Sequence, residues 1–130
     1  MVHFKQFDNG LRLVVNQMSG LMSVTMGILV HTGASVESDK EDGISHFIEH
    51  MMFKGTKKRT AFKISDEMDR IGAQMNAFTG KDLTCYYAKS TTGHAEEAFE
   101  ILADLFLNST FPEDEMSREK GVIIEEINMN

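Results

Sequence analysis

The chain has 130 residues, of which 42% are hydrophobic and 25% charged, and its formal net charge is −7. That is enough apolar material to bury the core of one domain and too little length for a second. The acidic balance, with no basic stripe beyond Lys57-Lys58-Arg59, argues against nucleic acid as a partner; no apolar stretch approaches the roughly 18 residues of a membrane span; and Cys85, the single cysteine, rules out an intrachain disulfide.

In chain order, residues 3–7 and 11–17 read as two strands joined by Asp8-Asn9-Gly10, the turn chemistry of a tight hairpin. Residues 22–32 form a longer apolar strand, and the polar stretch 38–41 leads into a helix that ends near Gly55. A second helix is expected over 60–71, with Ile64, Met68 and Ile71 at helical spacing and Gly72 at its end. Residues 73–79 and 83–90 then make a hairpin around Gly80-Lys81-Asp82, which places Asn76 on a sheet and packs Cys85 in a strand. Ala95, Ala98, Phe99, Leu102, Leu105 and Phe106 mark a helical stripe. Pro112 opens a last helix whose Glu113, Asp114 and Glu115 suit its positive end. The order ββ-β-α-α-β-β-α-α implies an α+β domain with a mainly antiparallel sheet packed with helices. Met51, Met52 and Met68 fall on apolar stripes and are assigned to the core, while His3, His31 and His94 have no partner motif. With no secretory, import or membrane signal and one lone cysteine, the expected location is cytoplasmic.

The chemistry concentrates in His46-Phe47-Ile48-Glu49-His50, an H-x-x-E-H for which composition alone predicts only about 0.02 occurrences. At about 100° per residue, His46, Glu49 and His50 share one helical face, with Ile44, Phe47, Ile48, Met51 and Met52 opposite. Two imidazoles at i and i+4 can reach one Zn²⁺, and a Glu beside them can take a proton from water. Phe53 lies in the middle of the polar face, so that face is expected to line a cleft. A catalytic zinc wants a third protein ligand. Glu126 is the strongest candidate: it lies in a segment, 116–129, that Val122, Ile123 and Ile127 mark as a partly buried helix. Glu119 stands two turns before it on the same face, whereas Glu125 points about 100° away. An ordinary solvated acidic face explains the two carboxylates about equally well on this reading alone.

Several blocks in order carry a resemblance. They are Asn9-Gly10-Leu11-Arg12, Gly33-Ala34-Ser35-Val36-Glu37, the run from Gly43 to Thr56 that holds the metal motif, Gly72-Ala73-Gln74-Met75-Asn76-Ala77-Phe78-Thr79, and the run from Glu119 to Ile127. Over essentially its whole length the chain resembles the N-terminal part of the pitrilysin and insulysin superfamily of zinc metallopeptidases, in its processing-peptidase-like branch. The resemblance implies that His46, His50 and Glu126 bind Zn²⁺, that Glu49 is the general base, and that Glu119 supports the site as a further acid. It also implies that Asn76 and Ala77 belong to a strand that pairs with an extended peptide substrate.

The function expected is therefore zinc-dependent endopeptidase cleavage of extended peptides through a metal-activated water and a Glu base. Peptidases of this superfamily are built from two related halves or paired subunits, and the partner half supplies Arg and Tyr groups for the transition state. The chain ends soon after Glu126, before the superfamily's first domain is complete, so it is read as a truncated, processing-peptidase-like half-domain over 1–130. The alternative is a noncatalytic metal- or peptide-binding fragment or subunit that needs a partner half for activity.

Overall fold

The computed structural model describes residues 1–129, and its elements follow the expected order. Strands β1 (Val2–Gln6) and β2 (Arg12–Asn16) pair antiparallel from Val2 opposite Asn16 to Gln6 opposite Arg12. Their turn closes through Gly10, which takes a φ of +92° that a side chain would resist, and through the Leu11 amide, which donates to Asn9 Oδ1 at 3.0 Å. The hairpin forms a sheet of its own, and every residue of both strands is exposed, Phe4 and Val14 included.

The second sheet is antiparallel, in the order β3 (Ser23–Val30), β5 (Thr84–Thr91), β4 (Gln74–Thr79). Its alternation sets one row of side chains inward. Met26, Ala88 and Met75 are opposite one another, then Ile28, Tyr86 and Ala77, then Val30, Thr84 and Thr79. The first two rows pack on the hydrophobic core, and the third ends in two threonines. Central strand β5 is the most buried, with Cys85 and Tyr86 inside.

Helix α3 (Ala95–Asn108) covers β5 with Ala98, Ile101, Leu102 and Leu105 buried. Phe99, expected on this stripe, is 53% exposed because its position lies about 100° round from Ala98, at the margin of the covered arc. Helix α2 (Ala61–Arg70) is capped by Thr60, whose hydroxyl accepts the Lys63 amide, and it buries Ile64 and Met68. Helix α1 (Ile44–Met52) carries the H-x-x-E-H run and stops before Gly55. Its last turn tightens through i to i+3 bonds from Phe53 and Lys54, after which Gly55 bridges to Thr60 and Thr56 to Ser109.

Met51, Met52 and Met68 are buried as expected, but Ile44 and Ile48 are exposed, because α1 rests on β4 and on α4 (Glu113–Met129) rather than lying flat on the sheet. For the same reason α4 buries only Glu119 and Ile123, and Val122 and Ile127 are exposed. Among the described residues no helix is long and apolar enough to cross a membrane.

A second polar network lies away from α1. Asp104 accepts from Thr56 at 2.7 Å, from Arg59 at 2.8 Å and from Asn108 at 2.8 Å, and Arg59 also pairs with Glu67. It ties the loop after α1 to α3. Burial by itself would raise the Asp104 carboxyl, but the three hydrogen bonds and the Arg59 charge outweigh it and hold the group below its ordinary range.

Candidate metal centre and cleft

Helix α1 begins at Gly43, which has a φ of +85° and no side chain to cap the helix. Glu37 does that work from outside: its carboxylate accepts the Gly43 amide at 3.0 Å and the Ser45 amide at 2.7 Å. An anion over the first free amides of a helix is favoured by hydrogen bonding and by the helix dipole. The Ser45 amide, ahead of the Ser45 hydroxyl and the Gly43 amide, keeps the Glu37 carboxyl below its ordinary range.

One turn on, His46 and His50 stand edge to face, with their Nε2 atoms 3.0 Å apart. Glu126, from α4, brings Oε2 to 3.5 Å from His46 Nε2 and 3.7 Å from His50 Nε2. Ligands about 2.0–2.1 Å from a tetrahedral zinc lie roughly 3.3–3.4 Å from one another, so two imidazoles and a carboxylate at these separations could hold one such ion. The other side of His50 supports this reading. Its Nδ1 lies 2.9 Å from Glu119 Oε2, and a carboxylate there accepts a hydrogen bond from Nδ1–H and leaves the Nε2 lone pair facing His46 and Glu126. Glu119 is buried, and its other oxygen meets Lys54 Nζ at 2.7 Å. Burial would raise the Glu119 carboxyl, yet the hydrogen bonds and charges of Lys54 and His50 together hold it below its ordinary range.

Glu49 lies on the same face of α1, half-buried, and accepts a hydrogen bond from the Thr79 hydroxyl at the end of β4. A cleft of about 330 Å³ is lined by Glu49, His50, Phe53, Lys54, Asn76, Glu119 and Val122, so Phe53 does face a cleft. A second hollow of about 430 Å³ lies on the far side of His46, between the loop before α1 and Gly80-Lys81. Tyr86 sits behind Glu49, and burial first, then the Glu49 charge, pushes its hydroxyl up to about 12. Asn76 is exposed on β4 beside the first cleft, and its Oδ1 accepts the amide of Ala77, which packs against the core. β4 pairs only with β5 among the described strands and so presents its other edge.

The fold thus gathers His46, His50, Glu126, Glu119 and Glu49 at one place, with Asn76 lining the adjoining cleft and Ala77 next to it in the strand. Three participants were not read from the sequence: Glu37, Lys54 and Thr79. Only Thr79 had a usable signal. It has the same strand parity as Met75 and Ala77, so it belongs to the inward row.

Residues 12–130 match the family described as Insulinase (Peptidase family M16). A protein of Bacillus subtilis (strain 168) named as an uncharacterized zinc protease, YmxG, is 49% identical over 122 residues, a match that takes in 94% of this chain and 30% of that protein. The mitochondrial-processing peptidase subunit beta of Mus musculus is 45% identical over 120 residues, 92% of this chain and 24% of that subunit. Among solved structures, a protease from Helicobacter pylori superimposes with a TM-score of 0.89 at 28% identity, over 97% of this chain and 30% of its own. The chain therefore spans less than a third of the length of these relatives, and its α+β architecture is that of the corresponding part of the Helicobacter pylori protease. On the match over nearly its whole length, the chain belongs to the insulinase family of peptidases, family M16.

Proposed function

We propose that this chain carries the zinc site and the general base of an endopeptidase that cleaves extended peptides. The observation that carries the reading is the convergence of His46 Nε2, His50 Nε2 and Glu126 Oε2, with Glu49 on the same face of α1 and lining a cleft together with His50. His46, His50 and Glu126 hold the ion. Bound there, Zn²⁺ supplies Lewis acidity toward a peptide carbonyl and makes water acidic enough to lose a proton near neutral pH. Glu119 keeps His50 in the tautomer that ligates through Nε2, and Lys54 keeps Glu119 ionised and in place.

Glu49 takes the proton of the attacking water and delivers it to the departing amine. The open edge of β4 offers its backbone amides and carbonyls to a peptide laid alongside, a recognition that needs no particular sequence, and Asn76 and Ala77 lie on that strand. Pairing there requires the Ala77 amide to leave Asn76 Oδ1. The groups that stabilise the transition-state charge are assigned to a second homologous half or subunit, in keeping with a relative that is by name one subunit of a processing peptidase. Cys85, the one cysteine and a buried free thiol, favours the cytoplasm as the location.

The test is metal content by mass spectrometry with cleavage of an internally quenched peptide. One zinc per chain is expected, lost in His46→Ala and in Glu126→Gln; Glu49→Gln should keep the zinc and lose hydrolysis. Stoichiometric zinc in both ligand variants would reject the ligand set, and wild-type turnover in Glu49→Gln would reject the base.

A further inference from the structure

The geometry points to Thr79 as a positioning residue that aims the Glu49 carboxylate, its hydroxyl set in place by a loop that clamps helix α1 and strand β4 to each other. This inference rests on Glu49 being the base proposed above.

A glutamate has three rotatable side-chain bonds, so an unaided Glu49 would sample many orientations, at an entropy penalty each time it adopted the reactive one. The Thr79 hydroxyl donates to Oε2 and leaves Oε1 for a proton in transit. The contact is between one strand and one helix, and both ends are held. Thr79 is opposite Thr84 in the register, and Thr84, buried, donates through Oγ1 to the Thr32 carbonyl at 2.9 Å. Directly after Thr79 the chain turns through Gly80 and Lys81, which press on Gly33 so closely that a Cβ there would lie 2.4 Å from the Gly80 oxygen. Ser35 seals the same contact with its amide and hydroxyl on the Lys81 carbonyl, at 2.8 and 2.7 Å, and with its hydroxyl on Asp82 Oδ1 at 2.7 Å. Two residues later the same loop supplies Glu37, which caps α1.

Residues 33–37 therefore register the turn that follows Thr79 against the start of the helix that carries Glu49. Threonine suits the task because its β-branch restricts χ1 and so fixes the direction of the hydroxyl.

The experiment compares Thr79→Val, which keeps the β-branch and the strand but removes the donor, with Thr79→Ser, which keeps the donor. Each is made in the zinc-loaded full-length protein and assayed with an internally quenched peptide, alongside zinc content, thermal melting and a crystal structure. A hydrogen bond to a charged group is worth enough that Thr79→Val should lower kcat about 10- to 100-fold, with KM within about twofold, zinc unchanged and the Glu49 carboxylate turned away. Thr79→Ser should recover kcat to within about fivefold of wild type, with the carboxylate in place. Thr79→Val with wild-type kcat, or with Glu49 unmoved in its crystal structure, overturns the inference, as does a serine variant no better than the valine one. Failure of the base assignment is read separately, from Glu49→Gln. Should that variant keep turnover, the position of the carboxylate in the Thr79→Val crystal still decides whether Thr79 sets it.

Discussion

Replacing Gly33 with alanine would set a Cβ 2.4 Å from the Gly80 oxygen, 2.5 Å from the Lys81 oxygen and 2.8 Å from the Lys81 carbonyl carbon. The backbone of Gly33 is extended, with φ −179°, a conformation that any residue adopts, so only space opposes the substitution. In an open site the lost chain entropy of glycine would make the change stabilising by about 0.4–1 kcal/mol. Here the obstructing atoms are all backbone and cannot rotate away, so the turn must retreat by about 1 Å to restore ordinary contact distances. The Ser35 bonds to Lys81 and Asp82 span the same gap and would stretch with it. Overpacking of this kind costs about 1–3 kcal/mol, and immovable neighbours favour the upper part, about 2–3 kcal/mol. With an unfolding entropy of roughly 2.1 cal/mol/K per residue, a domain of this size loses about 4 °C per kcal/mol, which gives a fall in Tm of about 7–11 °C. Circular dichroism melts of Gly33→Ala measure it, with Gly93→Ala as the control, since a Cβ at Gly93 meets nothing within 4 Å. A fall of less than about 2 °C in Gly33→Ala would refute the reasoning.

Gly121 lies inside α4 with nothing within 4 Å of an added Cβ, so Gly121→Ala should raise Tm by about 4 °C on helix propensity alone; an unchanged or lower melting point contradicts this. Asp104 yields a pH prediction. Its folded carboxyl titrates below the ordinary value of 3.8, so the unfolded chain binds the proton first, and the stability it contributes is full above that value and lost as pH falls through the folded one. Asp104→Asn should cost about 2–4 kcal/mol at pH 7, because Arg59 loses a buried partner, and the gap from wild type should narrow as melts are taken down toward pH 3. A gap that stays constant over that range would show that the carboxyl is not held low.

Much of the site was legible because its spacings are local. Three positions at i, i+3 and i+4 share a helical face whatever surrounds them, so His46, Glu49 and His50 were set together by the helix repeat. The two-turn interval did the same for Glu119 and Glu126, and Asn9-Gly10 dictated the first hairpin through its turn chemistry. What the helix repeat left open was whether Glu119 and Glu126 formed a site or a solvated face. The packing of α4 against α1 supplies what the repeat lacks, the distances: Glu119 comes to the outer nitrogen of His50 and Glu126 to within 3.7 Å of the inner pair, the arrangement on which the proposed zinc site rests. Ile44, Ile48 and Ile127 had the pattern of buried residues and are exposed, because a moment along one helix says which side is apolar, not how much of it a neighbour covers. Lys54, Glu37 and Thr79 act on groups that lie in other elements, and Gly33 is required by a turn nearly fifty positions downstream. Side-chain identity and period set what each segment could present; the distances at which those segments met depended on packing between elements remote in sequence, which no local period encodes.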